Sequence, residues 1–401
     1  MSLTQLVALG APDAIIYSEP SISTFKSRFA SSTPFATEMI RMDFTSYTVP
    51  GRGSITIPRK ADMLMGVILQ AQMKSSSSAS QTNYPIENLV KHVELYIGGQ
   101  LIEKYDNNWI RLRNTVLIEN TERDAVLTME NFSLNDPTGM VKSLWLQLPF
   151  WFNETNKSLP LVALQYHEIR IDFVFENPAN IPGIDSTYTP TITAWGEYAF
   201  LPPKERQWFA SNPHSYIMEQ TQTHDFPSVI STTTSASTNY TLPFNLPTKY
   251  LFWVYRNKDV FGVYTGDGDI LSANENAAPL QSAKIQVNGI DRFAVQQGSY
   301  FRLIEPYRTM KDVPAAGIYT YFFSKDPLQQ MTISGTLNFS ALDTVKLMTT
   351  TKTASAASLS AIFNENTTLT ASATLDTLTV IARSVNILRI YDGMGGIMFA
   401  N

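Results

Sequence analysis

Apolar and polar positions alternate with a period of two along much of this chain. In VELYI (93–97), Val93, Leu95 and Ile97 fall on one side and Glu94 and Tyr96 on the other. That is the signature of a strand with one buried face. Gly98-Gly99 follows, then QLIEKY, which predicts a hairpin whose two turn residues both accept positive φ. The segment AKIQV (283–287) repeats the pattern with Ile285 and Val287, and Asn288-Gly289 and IDRF come after it. Asn-Gly between alternating segments is the strongest short-range hairpin signal.

Three further blocks recur in the same order about half a chain later. ITIPRKADMLMGVIL (55–69) parallels YTLPFNLPTKYLFWVY (240–255): a short strand, a break bearing proline, then a longer apolar strand. LQLPFWF (146–152) parallels IYTYFF (318–323) as an aromatic strand, and HEIRIDF (167–173) parallels DTVKLM (343–348). Four matches in order predict a duplicated β-domain. Helical signals are confined to TERDAVLTM (121–129) and PKERQWFA (203–210), the second opening on Pro203. Elsewhere short runs are separated by Pro, Gly, Asn and Ser/Thr clusters, the punctuation of sandwiches and barrels. KSSSSASQTN (74–83), STTTSASTNY (231–240) and TTTKTASAASLSA (349–361) read as solvated loops. The expected division is an N-terminal arm (1–25), a first sandwich (26–202), a linker with a short helix (203–219) and a second sandwich (220–401).

Composition narrows what such a chain can do. Only 16% of its 401 residues are charged, well below the usual quarter. Either partners cover much of the exterior, or Ser, Thr, Asn and Gln supply its polarity. The net charge is −5, and residues 1–45 hold only Lys26, Arg28 and Arg41 as cations against Asp13, Glu19, Glu38 and Asp43. Direct nucleic-acid binding, driven by neutralising phosphates, is therefore not expected. There is no cysteine, which excludes disulfides and thiolate metal sites and fits a reducing compartment. The N-terminus lacks a basic n-region, and no run is apolar for long enough to span a membrane.

The chain offers no catalytic constellation. His167-Glu168 begins like a zinc-protease helix, but Ile171 stands where the second histidine belongs and the segment alternates like a strand. His92, His167, His214 and His224 are scattered, and no G-x-S-x-G elbow exists. TGDGDILSANE (265–275) approaches calcium-loop spacing, with Leu271 in place of an oxygen ligand. No metal site and no cofactor are expected. Trp145, Phe150, Trp151 and Phe152, with Tyr250, Phe252, Trp253 and Tyr255, are dense enough for a sugar-stacking platform. They lie on the duplicated strands, so core and interface packing is the better reading.

IENLVKHVELYIGGQLIEKYDNNW (86–109), LPLVALQYHEIRI (159–171), TKYLFWVYRN (248–257), LQSAKIQVNGIDRFAVQQGSYF (280–301) and VNILRIYDGMGGIMFAN (385–401) resemble the major capsid proteins of nucleocytoplasmic large DNA viruses. The likeness is to the phycodnavirus type of chlorella-like algae, and it extends to the opening segment 3–29. The resemblance implies an all-β double jelly roll: two eight-stranded sandwiches in tandem, with few short helices. It also implies no enzymatic activity and a homotrimer of pseudo-hexagonal outline that meets neighbouring capsomers and minor capsid proteins beneath the shell. The product would be an icosahedral virion shell assembled in the host cytoplasm. Outward loops of the second half can carry glycans in such proteins and contact the host surface. The matching loop, 363–375, offers Asn364 and Asn366. Asn366 also fits the ordinary acceptor pattern, as do Asn131, Asn153, Asn156, Asn239 and Asn338. Gly393 to Gly396 are expected to let the backbone turn where a side chain would clash.

Two other readings stay open on the residues alone: a carbohydrate-binding sandwich and a monomeric β-sandwich enzyme with a cleft of titratable groups. Within the capsid reading, the chain is short in the outward loops for its family. It can be the principal shell protein or a lower-copy paralogue.

Overall fold

The computed structural model describes residues 32–76, 84–118, 120–133, 136–153, 157–181, 183–228, 235–256, 279–310, 313–314, 317–328, 333–352 and 377–399, with Val7, Gly10, Ala11 and Phe25. The chain falls into two units, Met1–Phe35 and Ala36–Asn401, and the architecture below belongs to the second. Apart from Val7, Gly10, Ala11 and Phe25, the expected N-terminal arm lies outside the described residues.

The first ten strands are β1 (Ala36–Met42), β2 (Ser46–Tyr47), β3 (Gly51–Thr56), β4 (Met63–Lys74), β5 (Val90–Ile97), β6 (Gln100–Asp106), β7 (Val141–Gln147), β8 (Leu159–Pro160), β9 (Ile169–Phe175) and β10 (Thr191–Phe200). They form one sheet ordered β1-β10-β4-β7, with β8 beside β4, and another ordered β2-β3-β9-β5-β6. The chain continues with β11 (His214–Pro227), β12 (Ser237–Thr241), β13 (Pro247–Arg256), β14 (Leu280–Val287), β15 (Ile290–Asp291), β16 (Gln296–Gln297) and β17 (Ile318–Phe322). Then come β18 (Leu337–Asn338), β19 (Val345–Thr351), β20 (Thr377–Tyr391) and β21 (Met394–Ile397). These form β11-β20-β13-β17, with β18 and β21 at its margins, and β12-β19-β14-β15, with β16 beside β14. Replace β1, β10, β4 and β7 by β11, β20, β13 and β17, and β3, β9, β5 and β6 by β12, β19, β14 and β15: the sheets superimpose in order. Each half has the jelly-roll order, and the predicted duplication is a duplication of topology. Among the described residues no strand pairing joins the halves.

Local chemistry explains the elements. In β5 the alternating Val93, Leu95 and Ile97 are buried, and opposite them β9 buries Ile169, Ile171 and Phe173. Both predicted turns adopt positive φ, at Gly98 (58°) and Gly99 (82°) and at Asn288 (47°) and Gly289 (83°). The expected helices appear at Asn120–Glu130 and Pro203–Ser211. A further one, Asn107–Val116, is capped by Asp106, whose carboxylate accepts the Trp109 N–H at 2.9 Å.

Two strand expectations need correction. LQLPFWF is not one strand: β7 ends at Gln147 and Trp151–Asn153 is a 3-10 turn. Pro149 has no N–H for the ladder, and the chain folds back with Phe150 N–H donating to Leu148 O. His167 and Glu168 precede β9 rather than lying on its face.

The two sandwiches differ in what covers them. Strand β13 sends Leu251, Trp253 and Tyr255 into its own core and Tyr250, Phe252 and Val254 into the cluster of the first half. Strand β20 does the same, with Leu378, Val380 and Ala382 in its own core and Ile381 in the cluster of the first half, which Leu388 and Ile390 near its end also join. Along β13 and most of β20, sheet β11-β20-β13-β17 is thus buried on both faces, which is why YLFWVY reads as an unbroken apolar run, while β11 at its edge keeps Ser215, Thr223 and Asp225 exposed.

Beside the first sandwich, helix Pro85–Leu89 and the two longer helices bury a carboxyl pair. Asn114 Nδ2 donates to Glu87 Oε1 at 2.6 Å and to Glu130 Oε2 at 3.3 Å, and Arg111 faces Glu87 at 3.4 Å. Burial, then the neighbouring Glu87 carboxylate, hold the Glu130 pKa well above the usual range. A carboxyl raised on folding contributes stability that is complete below its ordinary pKa, about 4.3. That stability drains as pH rises through the folded value. Glu130→Gln keeps the neutral shape, so its thermal midpoint should fall less between pH 5 and 9 than that of the parent. Parallel curves would mean that Glu130 is ionised at neutral pH.

Candidate functional site

The most chemically distinctive region is the seam between the halves. From the first half, helix Asn107–Val116 sets the Trp109 indole against Tyr250 and Phe252, with centroids 6.4 and 6.2 Å apart and planes tilted by 22° in both cases. Trp151 meets Tyr216 of β11 at 5.2 Å. Of the eight rings considered as a sugar platform, seven are buried and Trp145 is half-buried. They are packing residues.

Inside this apolar seam sits a compensated ion cluster. Arg383 of β20 donates from Nη1 to Glu103 Oε1 of β6 and from Nε to Glu219 Oε2 of β11, both at 3.1 Å. It also binds Thr221 Oγ1 at 2.6 Å and lies 5.0 Å over the Trp109 ring. Lys249 of β13 donates to Glu219 Oε1 at 2.5 Å and to Pro327 O at 2.7 Å. Two cations and two carboxylates balance. Burial alone would lower the Arg383 pKa, but Glu103 and Glu219 outweigh it and hold the guanidinium charged. Burial likewise pushes Glu219 up, while Arg383 and Lys249 bring it below the usual carboxylate range. A cavity of about 150 Å³ adjoins the cluster, lined by Trp109, Phe150, Glu219, Tyr250 and Arg383 among others. Buried amides extend the link: Gln220 Nε2 donates to Ile102 O at 2.5 Å, and Asn386 Nδ2 donates to Gln220 Oε1 at 2.9 Å and Phe399 O at 2.7 Å.

A glycine latch closes the seam at one edge. Strand β21 follows β20 through a turn at Asp392 and Gly393 and lies against the first half. Tyr166 N–H donates to Gly393 O at 3.0 Å, and His167 Nδ1 faces both Gly395 O at 3.0 Å and Gly395 N at 3.1 Å. Arg59 braces this loop through the carbonyls of Gln165 (2.6 Å) and His167 (2.8 Å). A Cβ on Gly393 would stand 2.5 Å from the Tyr166 ring, on Gly395 2.7 Å from Leu164, and on Gly98 2.3 Å from His167. The expected tight approach at Gly393 to Gly396 is present, with Tyr166 against Gly393, Leu164 against Gly395 and Gln100 against Gly396.

The other candidates separate. His214 binds Phe209 O at 2.8 Å and His224 packs on Phe226. Asn131 is buried and its side chain accepts the Tyr84 N–H; Asn338 caps a turn by accepting from Ser340. Asn364 and Asn366, and the run 265–275, lie outside the described residues. Among the described residues no group of three His, Asp or Glu could hold a metal ion. A surface groove of about 600 Å³ on sheet β2-β3-β9-β5-β6 gathers charged side chains that pair along it, Lys104 with Glu94 at 2.6 Å and Arg170 with Asp172 at 3.1 Å. Sequence reasoning missed the ion cluster. Its signal was a charge inside each apolar run: Glu103 in LIEKY, Lys249 in TKYLFW, Arg383 in VIARSV.

Arg383→Met would leave Glu103 and Glu219 facing each other in an apolar seam, and should cost about 3–5 kcal/mol in chemical denaturation. A loss near zero would show that the pair is solvated. Gly99 and Gly393 both have positive φ, so alanine strains each by about 1–2 kcal/mol. Only at Gly393 does the new methyl also meet a ring. Gly393→Ala should therefore lower the thermal midpoint more than Gly99→Ala; equal shifts would remove the latch contact.

Comparisons with known proteins identify the family. Residues 23–202 match the model for the major capsid protein N-terminus, and 205–396 that for the large eukaryotic DNA virus major capsid protein. The chain is 38% identical to the major capsid protein of Paramecium bursaria Chlorella virus 1, covering 100% of this chain and 99% of that one. It is 30% identical to the major capsid protein of Pyramimonas orientalis virus over the same shares. The structure of VP54 from the chlorella virus, PBCV-1, superimposes with a TM-score of 0.85 at 34% identity, covering 94% of this chain and 100% of that one. The Faustovirus major capsid protein shares the fold alone, with a TM-score of 0.70 at 11% identity over 97% and 96%. Family membership makes this a structural and not a catalytic protein, and the chain belongs to the major capsid proteins of large eukaryotic DNA viruses.

Proposed function

We propose that this protein is the principal tile of an icosahedral virion, acting as a homotrimer in which six similar sandwiches surround one axis. The observation that carries this reading is the duplicated strand order. A trimer of duplicated domains presents a near-hexagonal outline while obeying only threefold symmetry, and such units pave a flat lattice without gaps. Full-length similarity to a chlorella virus major capsid protein supports the principal role over that of a rarer paralogue. The functional parts are the arm (1–25), the first jelly roll (26–202), the linker (203–219) and the second jelly roll (220–401), a division supported by the two separate family matches. Neighbouring trimers and minor proteins beneath the shell are the partners, the arm being the inward contact. Assembly takes place in the host cytoplasm. Outer loops of the second half meet the host surface, and Asn364 and Asn366 are the glycan acceptors.

The seam explains why a tile can be rigid. Buried apolar area, a balanced ion cluster and a latch fix the angle between the halves, and that angle sets the outline of the assembled unit. Light scattering coupled to gel filtration should give a mass about three times the 44.9 kDa of the chain, unchanged on dilution. A persistent monomer would sink the proposal.

A further inference from the structure

We propose that the groove on the outer face of sheet β2-β3-β9-β5-β6 is an oxyanion-binding site, in which Arg52, His92 and Lys104 hold a phosphate or carboxylate group. All its lining residues come from the first sandwich. What marks it as a site is a surplus of donors that strand register gathers at one end.

Three rows of side chains cross this face. In the first, Val174 of β9 lies opposite Arg52 of β3 on one side and His92 of β5 on the other. In the second, Asp172 lies between Ser54 and Glu94, and Lys104 of β6 follows Glu94. Arg170 and Tyr96 make the third. Facing residues of antiparallel neighbours project to the same side, and these rows line one groove of about 600 Å³.

The middle row would be unfavourable alone, because Glu94 and Asp172 are like charges directly opposite each other. Neighbouring donors offset that. Glu94 Oε1 accepts from Lys104 at 2.6 Å and Oε2 from the Tyr96 hydroxyl at 2.9 Å. Asp172 Oδ1 accepts from Ser54 at 2.7 Å and lies 3.1 Å from Arg170 Nε. With both carboxylates engaged, the first row is left with donors. Arg52 is exposed and has no carboxylate partner among the described residues. His92 Nε2 stands 3.8 Å from Glu94 Oε1, too far for a hydrogen bond. Asp106, opposite His92 on β6, caps the next helix, and Lys91 pairs with Glu176 at 3.4 Å. Arg52, Lys104 and Arg170 thus face only Glu94 and Asp172. The fork of an arginine matches either a carboxylate or a phosphate.

His92 registers the same surplus. Burial, then Lys104, lower its pKa below the ordinary value; Glu94 opposes them, and Arg52 and Lys91 add to the depression. The empty groove therefore holds His92 neutral at neutral pH. An anion offsets the field of Lys104 and Arg52 and lets the ring take a proton. Binding is then coupled to proton uptake, and affinity rises as pH falls towards the pKa of the empty groove.

Sulfate, which does not titrate near neutrality, is the probe, with acetate beside it as the carboxylate. Calorimetric titration of the intact protein at neutral pH and fixed ionic strength, in two buffers of different ionisation enthalpy, reads affinity and protons together. The expected result is saturable binding with proton uptake, weakened about tenfold by loss of the charged hydrogen bonds in Arg52→Gln. Lys346→Gln, on the outer face of the equivalent sheet β12-β19-β14-β15, should bind like the parent. His92→Gln should bind without taking up a proton. Tighter sulfate assigns the groove to a phosphate ester, tighter acetate to a carboxylate, and either supports the site. No saturable binding overturns the proposal, as does binding that survives Arg52→Gln or falls equally in Lys346→Gln. Binding to the parent without proton uptake overturns it too, since His92 would then lie outside the field of the ligand.

Discussion

One sheet, β11-β20-β13-β17, is the wall on which the rest of the molecule depends. A sheet with one wet face can tolerate polar residues at every second position, but this one has none of that freedom over most of its area. Its inner face closes the second sandwich, and its outer face is where the first half finds part of its own core: Tyr250, Phe252, Ile318 and Ile381 belong to the same cluster as Leu64, Val93 and Trp109. The two jelly rolls share a wall, so neither can be removed without exposing the other's apolar surface. That is how a duplicated chain becomes one rigid body instead of two beads on a string.

Charge within the wall adds direction to what hydrophobic burial leaves undirected. Apolar contact would tolerate a sliding or rotated seam. Arg383 does not, because its planar guanidinium must meet Glu103 from one half and Glu219 from the other at once. Buried ion pairs seldom add much net stability, since desolvation offsets the attraction. Their effect here is to single out one angle between the halves, and in a tile an error of angle multiplies across the lattice.

Much of this was legible in the chain. β5 and β9 announced themselves through strict alternation, because each has one face on a core and one on solvent. The duplication was legible because each half must solve the same folding problem with the same strand order. The seam was not, for a physical reason: Glu103 and Arg383 meet across most of the chain, and long-range pairing leaves no periodic trace near either residue. Helix Asn107–Val116 was hidden as well. Its Asp106 cap is a local signal, but it follows a strand directly, and the run DNNW resembles a turn. LQLPFWF misled because aromatic density suggests a strand, whereas Pro149 alone decides that it cannot continue as one.

The shared wall also dictates an order of events during synthesis. Trp109 and Glu103 leave the ribosome long before β20, which supplies Arg383 and much of the surface they cover. Throughout that interval the first half displays a finished cover with no wall of its own to close upon. The walls of neighbouring nascent chains look alike, and a premature match between them would be a domain swap. Until β20 is laid down between β11 and β13, that wall lacks its central strand and the cover has no complete partner within its own chain. The chain order of the strands therefore puts completion of the shared wall near the end of synthesis.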